Sequence, residues 1–161
     1  MPNVLIVYDS RSGNTEKAAV LVAEGVSQVE GTDCTLKRVD DVSLDDLSKA
    51  DGIIIGSPTY YGTMSGKIKT LLDESVEIHG KLQGKVGAAF TSSGGTASGA
   101  ETTILSILQA FLIHGMVIQG TSHAQHYGLA IVGAPKEKDQ NRCREFGERI
   151  ARLTLKIASK K

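Results

Sequence analysis

The chain has no tryptophan and only two cysteines and three prolines. Cys34 and Cys143 stand far apart, with no CxxC pair and no histidine at metal-ligand spacing, so nothing in their pattern calls for a disulfide framework or a metal centre. Both read as small buried hydrophobes. Neither sign of charge is in excess: 18 basic and 18 acidic residues cancel, leaving no global field to draw the protein to nucleic acid or an anionic membrane. Lys156, Lys160 and Lys161 read as a solvated helix terminus. No apolar run approaches the roughly 20 residues that a membrane helix needs. The opening Met1-Pro2-Asn3 lacks a basic region, and the apolar run behind it covers only residues 4–7, unlike a secretory leader. The expectation is a cytoplasmic protein with no integral membrane segment and no nucleic-acid partner.

Of the 161 residues, 40% are apolar and 22% charged, with no low-complexity tract, as in a soluble globular domain. A single domain spanning 1–161 would bury roughly 70% of the surface of its unfolded chain, enough for a core without staples. Four runs are continuously apolar: residues 4–7, 53–55, 86–90 and 116–118. Continuous apolarity suits parallel strands covered on both faces. Residues 34–39 are half polar and fit an edge strand.

Helical spacing separates these runs. Ala18, Val22, Val26 and Val29 form one stripe, Ile68, Leu71, Leu72 and Val76 a second, and Ile104, Ile107, Leu108, Phe111 and Leu112 a third. Cys143, Phe146, Ile150, Leu153 and Ile157 mark a final helix of about 16 residues, and a weaker one covers residues 44–49. Strand and helix thus alternate five times, which predicts an α/β fold of three layers around a doubly wound, five-stranded parallel sheet. With strand order 2-1-3-4-5, ligands would sit beyond the carboxyl ends of the first and third strands, where the winding reverses.

The loops at that edge are unusual. After the first strand comes Ser10-Arg11-Ser12-Gly13-Asn14-Thr15, whose hydroxyls, glycine and free helix-start amides suit a phosphate. An ordinary helix cap would use the same residue types. The loop lacks the lysine of GxxxxGK[ST], the GxGxxG spacing and any nucleophilic cysteine, so the anion is bound and not transferred. After the third strand, Gly56-Ser57-Pro58-Thr59-Tyr60-Tyr61-Gly62 places two of the four tyrosines in one turn. They could stack on a flat aromatic ligand, or one could tuck beneath as core. After the fourth strand, Thr91-Ser92-Ser93-Gly94-Gly95-Thr96-Ala97-Ser98-Gly99 lets backbone amides approach a ring edge, or serves as a flexible connector. The third strand ends in Gly56-Ser57-Pro58 with no phosphoacceptor aspartate, against a response-regulator reading.

These loops resemble those of the flavodoxin superfamily over nearly the whole chain, with residues 10–15 similar to its phosphate loop, commonly [TS]xTGxT. Gly56-Ser57-Pro58-Thr59, Met64-Ser65-Gly66, Glu101-Thr102-Thr103-Ile104 and His114-Gly115-Met116-Val117-Ile118 are similar to the WrbA type of NAD(P)H:quinone oxidoreductase. The resemblance implies FMN held by Ser10, Arg11, Ser12, Gly13, Asn14 and Thr15, by Pro58, Thr59, Tyr60, Tyr61 and Gly62, and by Ser92, Ser93, Gly94, Gly95 and Thr96. It implies NAD(P)H as co-substrate and a quinone as acceptor, or else a flavodoxin-like carrier passing single electrons between protein partners. His114 is the one candidate catalytic side chain.

The chain also departs from the WrbA pattern. It passes from Val39 to Asp51 without the further segment involved in tetramer assembly, although a homo-oligomer stays among the expectations. Ile113 stands where those enzymes carry a first histidine, and residues 76–81 replace the stretch with their tryptophan. His123, His126 and Tyr127, in the loop after the fifth strand, are candidates to cover the outer face of the ring.

Overall fold

A computed structural model describes residues 1–160. Strands β1 (Asn3–Tyr8), β2 (Asp33–Arg38), β3 (Gly52–Pro58), β4 (Val86–Ser93), β5 (Val117–Ile118) and β6 (Leu129–Val132) form one parallel sheet. Helices α1 (Asn14–Ser27), α2 (Leu44–Lys49), α3 (Gly66–Glu74), α4 (Ala100–Ile113) and α5 (Glu137–Ala158) cover it. The order is β2-β1-β3-β4-β5, as the alternation predicts. Ile6 pairs with both Leu36 and Ile54, and Ile54 with Ala88, so three central strands are buried on both faces, which explains their unbroken apolarity.

The fifth position differs from expectation. It is divided between β5, beside Val86 and Gly87, and β6, beside residues 90–93, with 119–128 bulging out between them. Gly128 makes the return possible, because a Cβ there would lie 2.2 Å from the carbonyl oxygen of Ala89. Gln125, at φ 56, then acts as a substitute strand: its side-chain amide donates to the Ala130 carbonyl at 3.1 Å and accepts from the Ala130 amide at 2.8 Å. The loop bearing His123, His126 and Tyr127 therefore follows β5, as expected, but a short strand, β6, then returns to the same sheet edge.

Helices α1 and α5 share one face of the sheet, where Val22, Val26, Phe146 and Ile150 pack on Ile6, Ile54 and Phe90. Their backbones touch at glycines. A Cβ on Gly25 would lie 2.0 Å from the Arg144 carbonyl oxygen, and one on Gly147 would lie 2.1 Å from that of Val22. The opposite face is covered by α2, α3 and α4 through Leu47, Ile68, Ile104, Ile107 and Phe111. α5 runs for 22 residues, longer than its apolar spacing predicts.

Two members of the expected stripes face solvent. Val76 is 69% exposed because α3 has ended and a 3-10 turn, Ser75–Ile78, has replaced its periodicity. Leu112 is 61% exposed at the end of α4, above a sheet corner where β5 is only two residues long. Among the described residues no helix is long and apolar enough to cross a membrane.

Candidate functional site

Because the strands are parallel, the turns after β1, β3, β4 and β6 open on one edge of the sheet. There Gly13, at φ 90, adopts a left-handed conformation and turns the chain from β1 into α1. Ser10 Oγ accepts hydrogen bonds from the Gly13 amide at 3.1 Å and the Glu16 amide at 3.2 Å. The hydroxyl proton of Ser10 has no acceptor among the described residues. The amides of Ser12, Asn14 and Thr15 find no acceptor among the described residues, and the hydroxyls of Ser12 and Thr15 have no partner there either. A helix start leaves such donors over, and together with the hydroxyls they could hold an anion.

The tyrosine turn stands beside this nest. Tyr60 and Thr63 exchange amide-to-carbonyl bonds of 3.0 and 3.1 Å, while Tyr61 (φ 51) and Gly62 (φ 74) both take positive φ between them. This is the geometry of a type I′ turn, with a tyrosine where glycine, asparagine or aspartate is usual. Neither ring is tucked beneath the loop: Tyr60 is 37% exposed and Tyr61 fully so. Arg11, Thr59, Tyr60 and Tyr61 line one cleft of about 520 Å³, which joins the anion nest to the aromatic turn.

The third loop supports that turn. A Cβ on Gly99 would meet the Gly62 Cα at 2.6 Å, so the end of this loop sits against the tyrosine turn. Thr91 Oγ1 donates to the Ser57 carbonyl at 2.7 Å and lies 2.8 Å from Thr59 Oγ1, which ties the ends of β3 and β4 together. Ser92 and Ser93 belong to β4, and both are buried. Their hydroxyls donate inward, Ser92 to the Gly133 carbonyl at 2.6 Å and Ser93 to that of Gly95 at 2.9 Å. Gly94 and Thr96 are exposed and Gly95 half-buried in the loop that follows, and Pro58 closes β3.

His114 lies elsewhere. It follows α4, whose 14 residues carry the chain about 20 Å from the loop edge towards the other end of the sheet. There Nε2 of His114 lies 2.7 Å from Ser75 Oγ, its ring stands 5.7 Å from that of His79, and buried Nδ1 has no partner. Burial, with a smaller push from His79, holds its pKa below the usual histidine value. Within the chain His114 touches none of the three loops, so its geometry lends the catalytic expectation no support. His123 lines a different cleft, against α5, and none of His123, His126 and Tyr127 lines the cleft of the tyrosine turn.

Sequence reasoning missed Arg38, whose guanidinium donates to the Ser10 carbonyl and braces the nest from β2. The signal was available in register, because β1 pairs Tyr8 with Arg38 at the same edge. Tyr8 Oη in turn donates to Glu16 Oε1 at 2.9 Å, fixing the first turn of α1 to the sheet.

The family described as NADPH-dependent FMN reductase matches residues 2–128. A flavodoxin of Aquifex aeolicus is 40% identical, over 94% of this chain and 86% of its own. An NAD(P)H dehydrogenase (quinone) of Archaeoglobus fulgidus is 32% identical, over 98% of this chain and 100% of its own. That alignment spans 191 positions, so the longer relative carries insertions that this chain lacks. The crystal structure of a WrbA-like flavodoxin from Agrobacterium tumefaciens matches at a TM-score of 0.82 and 29% identity, covering 97% of this chain and 99% of that one. A fold with this strand order, a loop of unpaired donors after β1 and these relatives lead to one assignment: the chain belongs to the NADPH-dependent FMN reductase family of flavodoxin-like proteins.

Proposed function

We propose that residues 10–15 hold the phosphate of FMN, that Tyr60 and Tyr61 bear on its ring system, and that the protein is an NAD(P)H-dependent reductase delivering electrons to a quinone. The observation that carries this reading is the shared cleft: Arg11, from the loop of unpaired donors, and the two exposed tyrosines line one continuous space. The group fits the residues present. A phosphate dianion would meet the amides of Ser12, Asn14 and Thr15 and the hydroxyls of Ser10, Ser12 and Thr15, all of them donors without another acceptor among the described residues.

FMN, when bound, supplies the redox chemistry, and the protein governs its position and what reaches it. Arg38 and the Tyr8–Glu16 bond keep the nest in place before a ligand arrives. Gly94, Gly95 and Thr96 would offer backbone amides to the ring edge without obstruction by large side chains. Tyr60 and Tyr61 are the only aromatics lining the cleft, so the face of a ring turned away from them has room for a second planar molecule.

Steady-state oxidation of NADPH by the FMN-loaded protein, with and without benzoquinone, tests the proposal. Quinone-dependent turnover is the expected result. Intact FMN binding without turnover would favour single-electron transfer to a protein partner, the reading suggested by the 40% identity to a flavodoxin. The balanced charge weighs against that alternative, since it supplies no field for docking a charged partner.

A further inference from the structure

A second cleft, of about 310 Å³, lies between residues 119–128 and α5, lined by Thr121, His123, Leu129, Arg142, Phe146 and Arg149 among others. None of the three loops described above lines it. We propose that this cleft binds a compact organic phosphate, with Arg149 and Arg142 holding the phosphate and the apolar wall receiving the organic part.

Arg149 carries the argument. Arg38, Arg144 and Arg152 each pair with a carboxylate, that of Asp40, Glu24 and Glu148 respectively. Arg149 is half-buried and has no carboxylate within 4 Å among the described residues. Its one hydrogen bond runs from Nη1 to the Gln119 carbonyl at 3.2 Å, and its guanidinium lies over the Phe146 ring at 5.6 Å. Five N–H donors on a planar fork, most of them unused, present bidentate geometry to an anion. Burial also lowers the pKa of Arg149, so a bound anion would relieve a desolvated charge.

The surroundings fit the same ligand. Arg142 reaches its nearest carboxylate, Asp139, only at 3.9 Å and is left available to a second oxyanion. Glu145 is the one acidic side chain lining the cleft, so the two arginines leave it net positive. Ala124, Leu129 and Phe146 supply apolar wall, and the volume is at the low end of small-molecule sites, about that of a mononucleotide. The outer wall is ordered by its own bonds: Thr121 donates its amide to the His126 carbonyl at 3.2 Å, and Gln125 is fixed on Ala130 at 2.8 and 3.1 Å.

Amide NMR titration of the FMN-saturated protein with adenosine 5′-monophosphate, adenosine and inorganic phosphate tests this site apart from the flavin site. The nucleotide is expected to shift amides of residues 121–129 and 142–149 and to bind about tenfold or more tighter than adenosine, the effect of charge-assisted hydrogen bonds. Arg149→Gln should weaken the nucleotide about tenfold, Arg142→Gln severalfold, and Glu145→Gln should tighten it, all with FMN affinity unchanged. Equal binding of adenosine and its monophosphate, or no shifts in these segments at millimolar ligand, would overturn the proposal. If Arg149→Gln fails to fold, the opposite responses of the Arg142 and Glu145 variants decide: no change in either rejects it.

Discussion

Gly99 packs so closely on Gly62 that a Cβ on the first would lie 2.6 Å from the Cα of the second. Two loops from different strands thus meet through bare backbone beneath the tyrosine turn. Gly99 also sits at φ +93, so Gly99→Ala combines a clash with a strained conformation. We expect a loss of about 1–3 kcal/mol in thermal unfolding and weaker binding of both FMN and riboflavin. An unchanged Tm would show that the two loops separate easily.

Thr15→Ala removes a hydroxyl that has no other partner among the described residues. FMN should bind about tenfold more weakly or worse, since a hydrogen bond to a charged group contributes roughly 1.5–3 kcal/mol. Riboflavin, lacking the phosphate, should be nearly unaffected. Equal losses for both ligands, measured by flavin fluorescence, would place the phosphate elsewhere.

Tyr61→Ala separates folding from binding. The ring is fully exposed, so the flavin-free protein should melt within about 0.5 kcal/mol of the parent. Riboflavin and FMN affinities should both fall, and Tyr60→Ala should lower them too. Unaltered riboflavin affinity in both variants would remove the rings from the site.

His114 gives the fold a pH signature away from the cleft. Burial lowers its pKa from 6.5, so below that value the unfolded chain takes up a proton that the folded chain refuses. Stability is full above pH 6.5 and falls as the pH drops through that value towards the depressed folded pKa. His114→Gln should flatten this part of the Tm profile. Asp46 acts lower: hydrogen bonding from Lys37 and Ser43 brings its pKa to about 2 from 3.8, so its contribution is present above 3.8 and disappears as the pH falls towards 2. An identical slope between pH 7 and 5 in the His114 variant would assign that limb to another group.

The sequence made the layers and the nest legible because both are local. Unbroken apolar runs mark strands covered on both faces, and Ser10, Gly13 and Thr15 mark a helix start rich in donors. What it hid depends on register and distance. Ser92 and Ser93 look like loop residues in a chain of small side chains, yet pairing of β4 with β6 draws them into the strand and turns their hydroxyls inward. His114 follows an apolar stripe that gives no sign of which end of the sheet it reaches. The division of the fifth strand was equally hidden, because Gln125 completes the edge with a side chain where backbone pairing would be expected.

The glycine contacts between α1 and α5 bear on the order of events when a flavin arrives. Gly25 and Gly147 lock the first helix against the last by direct backbone contact, so the amides at its start are fixed in advance. The tyrosine turn is held at its base by Gly99, but the Tyr61 side chain is fully exposed. If residues 10–15 hold the phosphate as proposed, a flavin would meet donors already set in place by the packing of the first helix, while Tyr61 would still be free to adjust to the ring.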